Sequence, residues 1–354
     1  MSVNRINYID ALRGLSMILV VLAHVFLMMS PRHWDGSPVA AVLMSFRMPL
    51  FFMVSGFFAY KAAERWTSNV VADIMVRKVR AQVLCATLFF MLFQAVNNAP
   101  VFAFIDNGYG YFWFTIALFQ MFVAYVALSV LGRAVLRRDV TDWVMAAMIA
   151  GSVVWGNTPV PHGVGVTLSW HQVLTYMQFF ATGVLVRRHW GRFEALLRSD
   201  VLRTLAVVAF VGGCFWFYSG RYHQPHTWGE YMLQGVLHRY AGLLTVLVFF
   251  HSRSEYFDGS GAVARFLRFT GQRTLDIYMM HMFFMPKMAA LGWVNTLEQP
   301  SMVVLKLGVA VPVALGIVAL CLLCSSVLRS SHTLSVWLFG VRNRQRREAA
   351  ALER

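Results

Sequence analysis

Arg13 and His24 stand eleven residues apart in one apolar stretch. On a helix that is about three turns, so the two side chains share a stripe with His24 about 16 Å further along. A histidine changes charge near neutral pH and suits general-base work. An arginine suits a phosphate or a carboxylate. Asp10 precedes Arg13 by three residues and falls on the same face. Arg47 lies in the next apolar run, where a chain that doubles back brings it to a depth near that of His24. Arg77, Lys78 and Arg80 then form a basic cluster beside a third run. In a bilayer each such group costs at least about 2.5–3.5 kcal/mol, so it needs a partner, a watery cavity or a function. One helix therefore links a cation near one membrane face to a titratable base near the other.

The elements that must position these residues are membrane helices. Of 354 residues, 58% are hydrophobic and 13% charged, more apolar surface than a soluble domain of this length can bury. Apolar runs of spanning length fall near 8–29, 39–60, 79–99, 111–131, 142–156, 170–187, 201–219, 230–250, 272–291 and 302–328. Turn signals such as Ser30-Pro31-Arg32, Asn97-Asn98-Ala99-Pro100 and Gln299-Pro300-Ser301 separate them. Alternate loops hold 24 Lys/Arg against 2, the two being Arg32 and Arg221. That asymmetry predicts an all-α bundle of about ten transmembrane helices with both termini cytoplasmic. On this reading Arg77-x-x-Arg80 sits at the start of the third helix. Residues 1–330 form the membrane domain, and 331–354 a basic tail held at the lipid surface by anionic headgroups.

The net charge of +15 is spread over short loops and sets topology; no basic–aromatic stretch offers a nucleic-acid surface. Cys321 and Cys324 have half-site spacing, but no second pair accompanies them and they read as small packing residues. No metal site is predicted.

Several stretches resemble one family. Arg13 and His24, within the Asp10-Ala11-Leu12-Arg13-Gly14 context, resemble the first-helix signature of the membrane acyltransferase-3 family. Pro49 to Gly56 (Pro-Leu-Phe-Phe-x-x-Ser-Gly) is similar to its second-helix motif, Arg77-x-x-Arg80 to its cytoplasmic motif, and Phe112-Trp113-Phe114 to its Trp-Phe element. Gly271 to His281 resembles its late Gly-x-x-Thr-Leu-x-Ile-Tyr-x-x-His helix. These markers span nearly the whole chain in order. Arg47 departs from the glycine of many members and resembles the glucan succinyltransferase branch, to which a fucose acetylase branch with histidine is related.

The resemblance implies a multi-pass protein of the bacterial inner membrane. It also implies transfer of an acyl group from cytoplasmic acyl-CoA, acetyl-CoA or succinyl-CoA, to an extracytoplasmic carbohydrate or lipid-linked glycan. Arg13, Arg77 and Arg80 are then the candidates for the donor phosphates. His24 is the candidate base, with Arg47 and Tyr278 for the oxyanion; direct transfer and an acyl-histidine both remain open. Glu230, Arg239, His281 and Trp113 are candidates for acceptor binding, and Ser55 reads as a packing or tunnel residue. The rival reading is a transporter or flippase of a glycan or lipid-linked sugar, which intramembrane charges suit equally. No half-to-half symmetry supports it.

Overall fold

The computed structural model describes residues 6–29, 38–60, 68–156, 158, 166, 168–218, 227–287 and 303–339. Arg5, Arg32, Lys61, Arg65, Arg221 and the basic run from 340 onward, all used in the charge count, lie outside the described residues. No strand occurs among the described residues. Lipid offers no partner to an unpaired backbone group, so each apolar run closes its hydrogen bonds within a helix.

The longer helices and the segments of the candidate site are α1 (Asn7–Met29), α2 (Pro38–Ala59), α3 (Ser68–Lys78), α4 (Cys85–Val96), α5 (Trp113–Leu136) and α6 (Thr141–Trp155). They continue as α7 (Trp170–Arg188), α8 (Asp200–Tyr218), α9 (His238–Ser252), α10 (Ala262–Gln272), α11 (Thr274–Met280) and α12 (Val303–Ser330). Five continuous helical stretches are long and apolar enough to cross a membrane: Asn7–Met29, Asn69–Val96, Gly110–Leu136, Trp228–Ser252 and Val303–Ser330. Helices α2, α6, α7 and α8 fall on four further stretches where the sequence predicts spans.

Two predicted elements differ in form. The third helix begins at Ser68, not near 79, and α3 runs into α4 through a π-helical turn, Val79–Leu84. Arg77 and Arg80 therefore sit well inside a continuous helix. In Ser68–Lys78, polar and charged residues alternate with the apolar ones, so no apolar run marks the helix start. The stretch contains neither proline nor glycine to stop the helix.

The predicted span at 272–291 is broken twice. Arg273 interrupts the helix between α10 and α11, and a 3₁₀ turn, His281–Phe284, follows α11. Met285 is then extended (ψ 116°), the conformation favoured before a proline, here Pro286.

Motif glycines set the closest helix crossings. A Cβ on Gly14 would collide with the Leu267 carbonyl of α10, and one on Gly271 with the Asp10 carbonyl of α1. The pair Gly56 of α2 and Gly183 of α7 repeats the device: Gly56 lies on the Phe180 carbonyl and Gly183 on that of Met53. Small residues allow this approach, and dispersion across the close contact holds membrane helices together. Thus α1, bearing Arg13 and His24, is sandwiched by α2, α10 and α12.

Candidate active site

The Arg13 end of α1 opens on a cavity of about 380 Å³, with Arg13, Ser55, Arg77, Lys78, Gln82 and Tyr278 among its lining residues. Three cations from two separate stretches thus converge on one space. The Arg13 guanidinium lies 5.8 Å from the Phe58 ring, and Lys78 Nζ 4.6 Å from that of Phe122. Arg77 pairs with Asp73 at 3.0 Å. Arg80, half-buried in the π turn, is not among the lining residues. Ser55 donates to the Phe51 carbonyl at 2.8 Å, back-bonding within α2.

Tyr278 forms the far wall. Its hydroxyl donates to the Tyr111 carbonyl at 2.8 Å and accepts from the Phe114 N–H at 3.0 Å. Both bonds go to backbone, so this side chain clamps the entry to α5. Its ring is 5.9 Å from that of His281, which in turn lies 5.1 Å from that of His24.

His24 is half-buried, with Nδ1 2.8 Å from the Val20 carbonyl oxygen. A carbonyl can only accept, so Nδ1 carries the proton and Nε2 keeps the lone pair, as a base requires. Tyr111 meets the ring edge-on at 5.8 Å, and Arg47 is close enough for its charge to act on it.

Trp113 and Arg239 meet at a third residue, Tyr176 of α7. The Tyr176 ring stacks on Phe52 (5.2 Å, 16°) and Trp113 (6.0 Å, 25°), and the Arg239 guanidinium lies 5.3 Å from its centroid. The Arg239 Nη1 is buried with no hydrogen-bond partner among the described residues. Glu230 forms a capping box, accepting from the Thr227 N–H while its own N–H donates to the Thr227 hydroxyl.

A model of the acyltransferase-3 family, an acyltransferase domain, matches residues 6–328. The chain belongs to this acyltransferase family. No curated protein and no solved structure matches the chain. Membership supports an acyltransferase-type reaction, and the five apolar helices of spanning length support a membrane setting.

The sequence places Arg13, Arg77 and Tyr278 in candidate roles, and all three border one cavity of the acyltransferase. Sequence reasoning missed Gln82 and Tyr176, which carry no charge and sit in no motif singled out. It also missed Asp276, fully buried between Leu275 and Ile277 in a motif read for its other residues.

Proposed function

We propose that this acyltransferase is an integral O-acyltransferase of the bacterial inner membrane, with ten spans and both termini cytoplasmic. It moves an acetyl or succinyl group from cytoplasmic acyl-CoA to a hydroxyl of an extracytoplasmic carbohydrate or lipid-linked glycan. The observation that carries this reading is the unbroken series from the cationic cavity through Tyr278 and His281 to His24.

In this reading Arg13, Arg77 and Lys78 bind the phosphates of the donor, and Arg80 adds to the positive field at that mouth. The thioester arm extends along α1 toward His24. The acceptor O–H gives its proton to Nε2 of His24 as the oxygen attacks the thioester carbonyl carbon. Arg47 stabilises the oxyanion of the tetrahedral intermediate. Collapse breaks the C–S bond, and the departing thiolate takes the proton back from the imidazolium. Tyr278, whose hydroxyl hydrogen is engaged by Tyr111, positions the α5 entry and leaves the oxyanion to Arg47. Trp113, Tyr176 and Arg239 offer stacked faces and a cation for a sugar ring carrying oxygens. Glu230, shared with its capping box, is an outer contact for the acceptor.

Purified protein in nanodiscs, given radiolabelled acetyl-CoA or succinyl-CoA with a panel of glycans, tests the reading. Labelled glycan supports it, and the productive donor identifies the acyl group. Glycan-lipid uptake into vesicles with no thioester consumed would instead establish a transporter or flippase.

A further inference from the structure

Two imidazoles pack together with ring centroids 5.1 Å apart, His24 from α1 and His281 from the turn after α11. Each uses Nδ1 on a backbone carbonyl, Val20 for His24 and Tyr278 for His281, both at 2.8 Å. Both rings are therefore the Nδ1–H tautomer, and both retain a lone pair on Nε2. His281 is fully buried, and its Nε2 has no hydrogen-bond partner among the described residues. An unmatched buried acceptor is destabilising. Two lone pairs cannot bond to each other, but a single added proton can join them. The two Nε2 atoms form no hydrogen bond with each other in the unprotonated pair, but ring centroids 5.1 Å apart are close enough that rotation of the rings would bring two ring nitrogens to about 3 Å, one hydrogen-bond length.

We propose that His24 and His281 form a one-proton dyad, in which His281 shares the proton that His24 removes from the acceptor hydroxyl. The proposal rests on the acyl-transfer reading and adds a residue to it. The acceptor O–H bond breaks as its proton goes to Nε2 of His24, and the oxygen forms its bond to the carbonyl carbon. The new N–H of His24 is then shared with the Nε2 lone pair of His281, which spreads the positive charge over two rings. When the C–S bond breaks, that proton goes to the thiolate sulfur. His281 touches no substrate here; it is a positioning residue that acts through His24.

The surroundings favour one proton over two. Arg47 of α2 acts on His24 from one side. Lys306 of α12 is buried, with its ammonium 4.2 Å from the ring of Phe26, two residues beyond His24. The Arg47 charge beside His24 disfavours a second positive charge on the pair. The other titratable groups around the pair include the hydroxyls of Tyr111 and Tyr278, the buried thiol of Cys85 in α4 and the buried carboxylate of Asp276 on α11. Asp276 is taken by Arg329 and Ser325, and Asp10 of α1 lies fourteen residues before His24, about 21 Å along the helix, so neither takes the place of His281.

The test is a pH titration of the full chain in nanodiscs by nitrogen-15 histidine NMR, with the two rings assigned through His24→Asn and His281→Gln. One-proton sharing predicts that the Nε2 signals of both rings move in the same pH step in the wild-type protein. Movement of one ring alone in that step would overturn the dyad. Kinetics supply a second arm. His281→Phe should lower kcat about 10²-fold, with little change in KM for acyl-CoA. His281→Gln, which restores an acceptor oxygen near the Nε2 position, should recover about tenfold of that loss. Wild-type kcat in His281→Phe would also overturn the dyad. If the wild-type protein transfers no acyl group to any acceptor, the acyl-transfer reading fails, and the NMR arm still decides whether the proton is shared.

Discussion

Arg329 grips Asp276 through two hydrogen bonds, 2.7 Å from Nε and 2.8 Å from Nη2. Ser325 donates to the same fully buried carboxylate, and Arg273, which donates to Ser325 at 2.8 Å, stands 4.0 Å away. Asp276 lies on α11, two residues before Tyr278 and five before His281. The ion pair therefore fixes the register of the segment that carries both site residues against α12.

Removing Arg329 takes both of its hydrogen bonds from a buried carboxylate and leaves it only Ser325 and the more distant Arg273; breaking a buried pair costs up to about 3–5 kcal/mol. Arg329→Ala should lower the thermal midpoint of the purified protein accordingly. The double variant Asp276→Leu/Arg329→Met should recover much of the loss, because it removes both charges. An unchanged midpoint in Arg329→Ala would show that α11 is held by other contacts.

The glycine crossings allow a sharper contrast. Gly14→Val forces α1 and α10 apart at the Leu267 carbonyl, and overpacking of this kind costs about 1–3 kcal/mol. Among the described residues, nothing lies within 4 Å of a Cβ added at Gly191, so Gly191→Ala should be neutral or stabilise by up to about 1 kcal/mol. Equal midpoints for the two variants would deny Gly14 its role in packing.

Donor binding by the cavity cations is a prediction about KM. Lys78→Ala and Arg77→Ala should each raise KM for acyl-CoA about tenfold with kcat little changed, the mark of lost ground-state binding. The wild-type KM should rise with ionic strength, because exposed cation–phosphate attraction is screened. A fall in kcat alone would place the two residues elsewhere in the cycle.

Asp139, between α5 and α6, gives a pH signature. Burial opposes its charge, but hydrogen bonds from the Thr141 hydroxyl (2.7 Å) and N–H (3.0 Å) and from Arg188 (2.8 Å) outweigh this. They hold the carboxyl well below the usual range. A carboxyl depressed in the folded state stabilises above its unfolded pKa of about 3.9 and loses that contribution as pH falls toward the folded value. With the side chain 41% exposed, solvent limits the effect to about 1 kcal/mol or less. Asp139→Asn should thus melt earlier than wild type at pH 7, and the gap should narrow below pH about 4. A gap independent of pH would mean that charge is not the cause.

Much of this is legible in the sequence because helical period and lipid cost act locally. The Arg13–His24 stripe needs only the 3.6-residue repeat, and the helices follow from apolar length. What crosses between helices is not legible. Nothing in the spacing brings His281 to His24, since they lie 257 residues apart and meet through the packing of α1 against α10, α11 and α12. The direction of the Tyr278 hydroxyl is hidden for the same reason: its partners, Tyr111 and Phe114, are fixed by tertiary contact. Arg273 and Arg329 look like ordinary loop cations until the buried Asp276 is seen between them. The start of the third helix is hidden because Ser68–Lys78 mixes polar with apolar residues, and apolar length gives no sign of it.

The most direct measurement is transfer across a sealed bilayer. Proteoliposomes carrying glycan on one face receive labelled acyl-CoA on the other, with wild type compared with His24→Ala. The expected result is labelled glycan inside the wild-type vesicles and a rate about 10²–10⁴-fold lower with His24→Ala. Equal labelling by wild type and His24→Ala would contradict the role of His24 as the base.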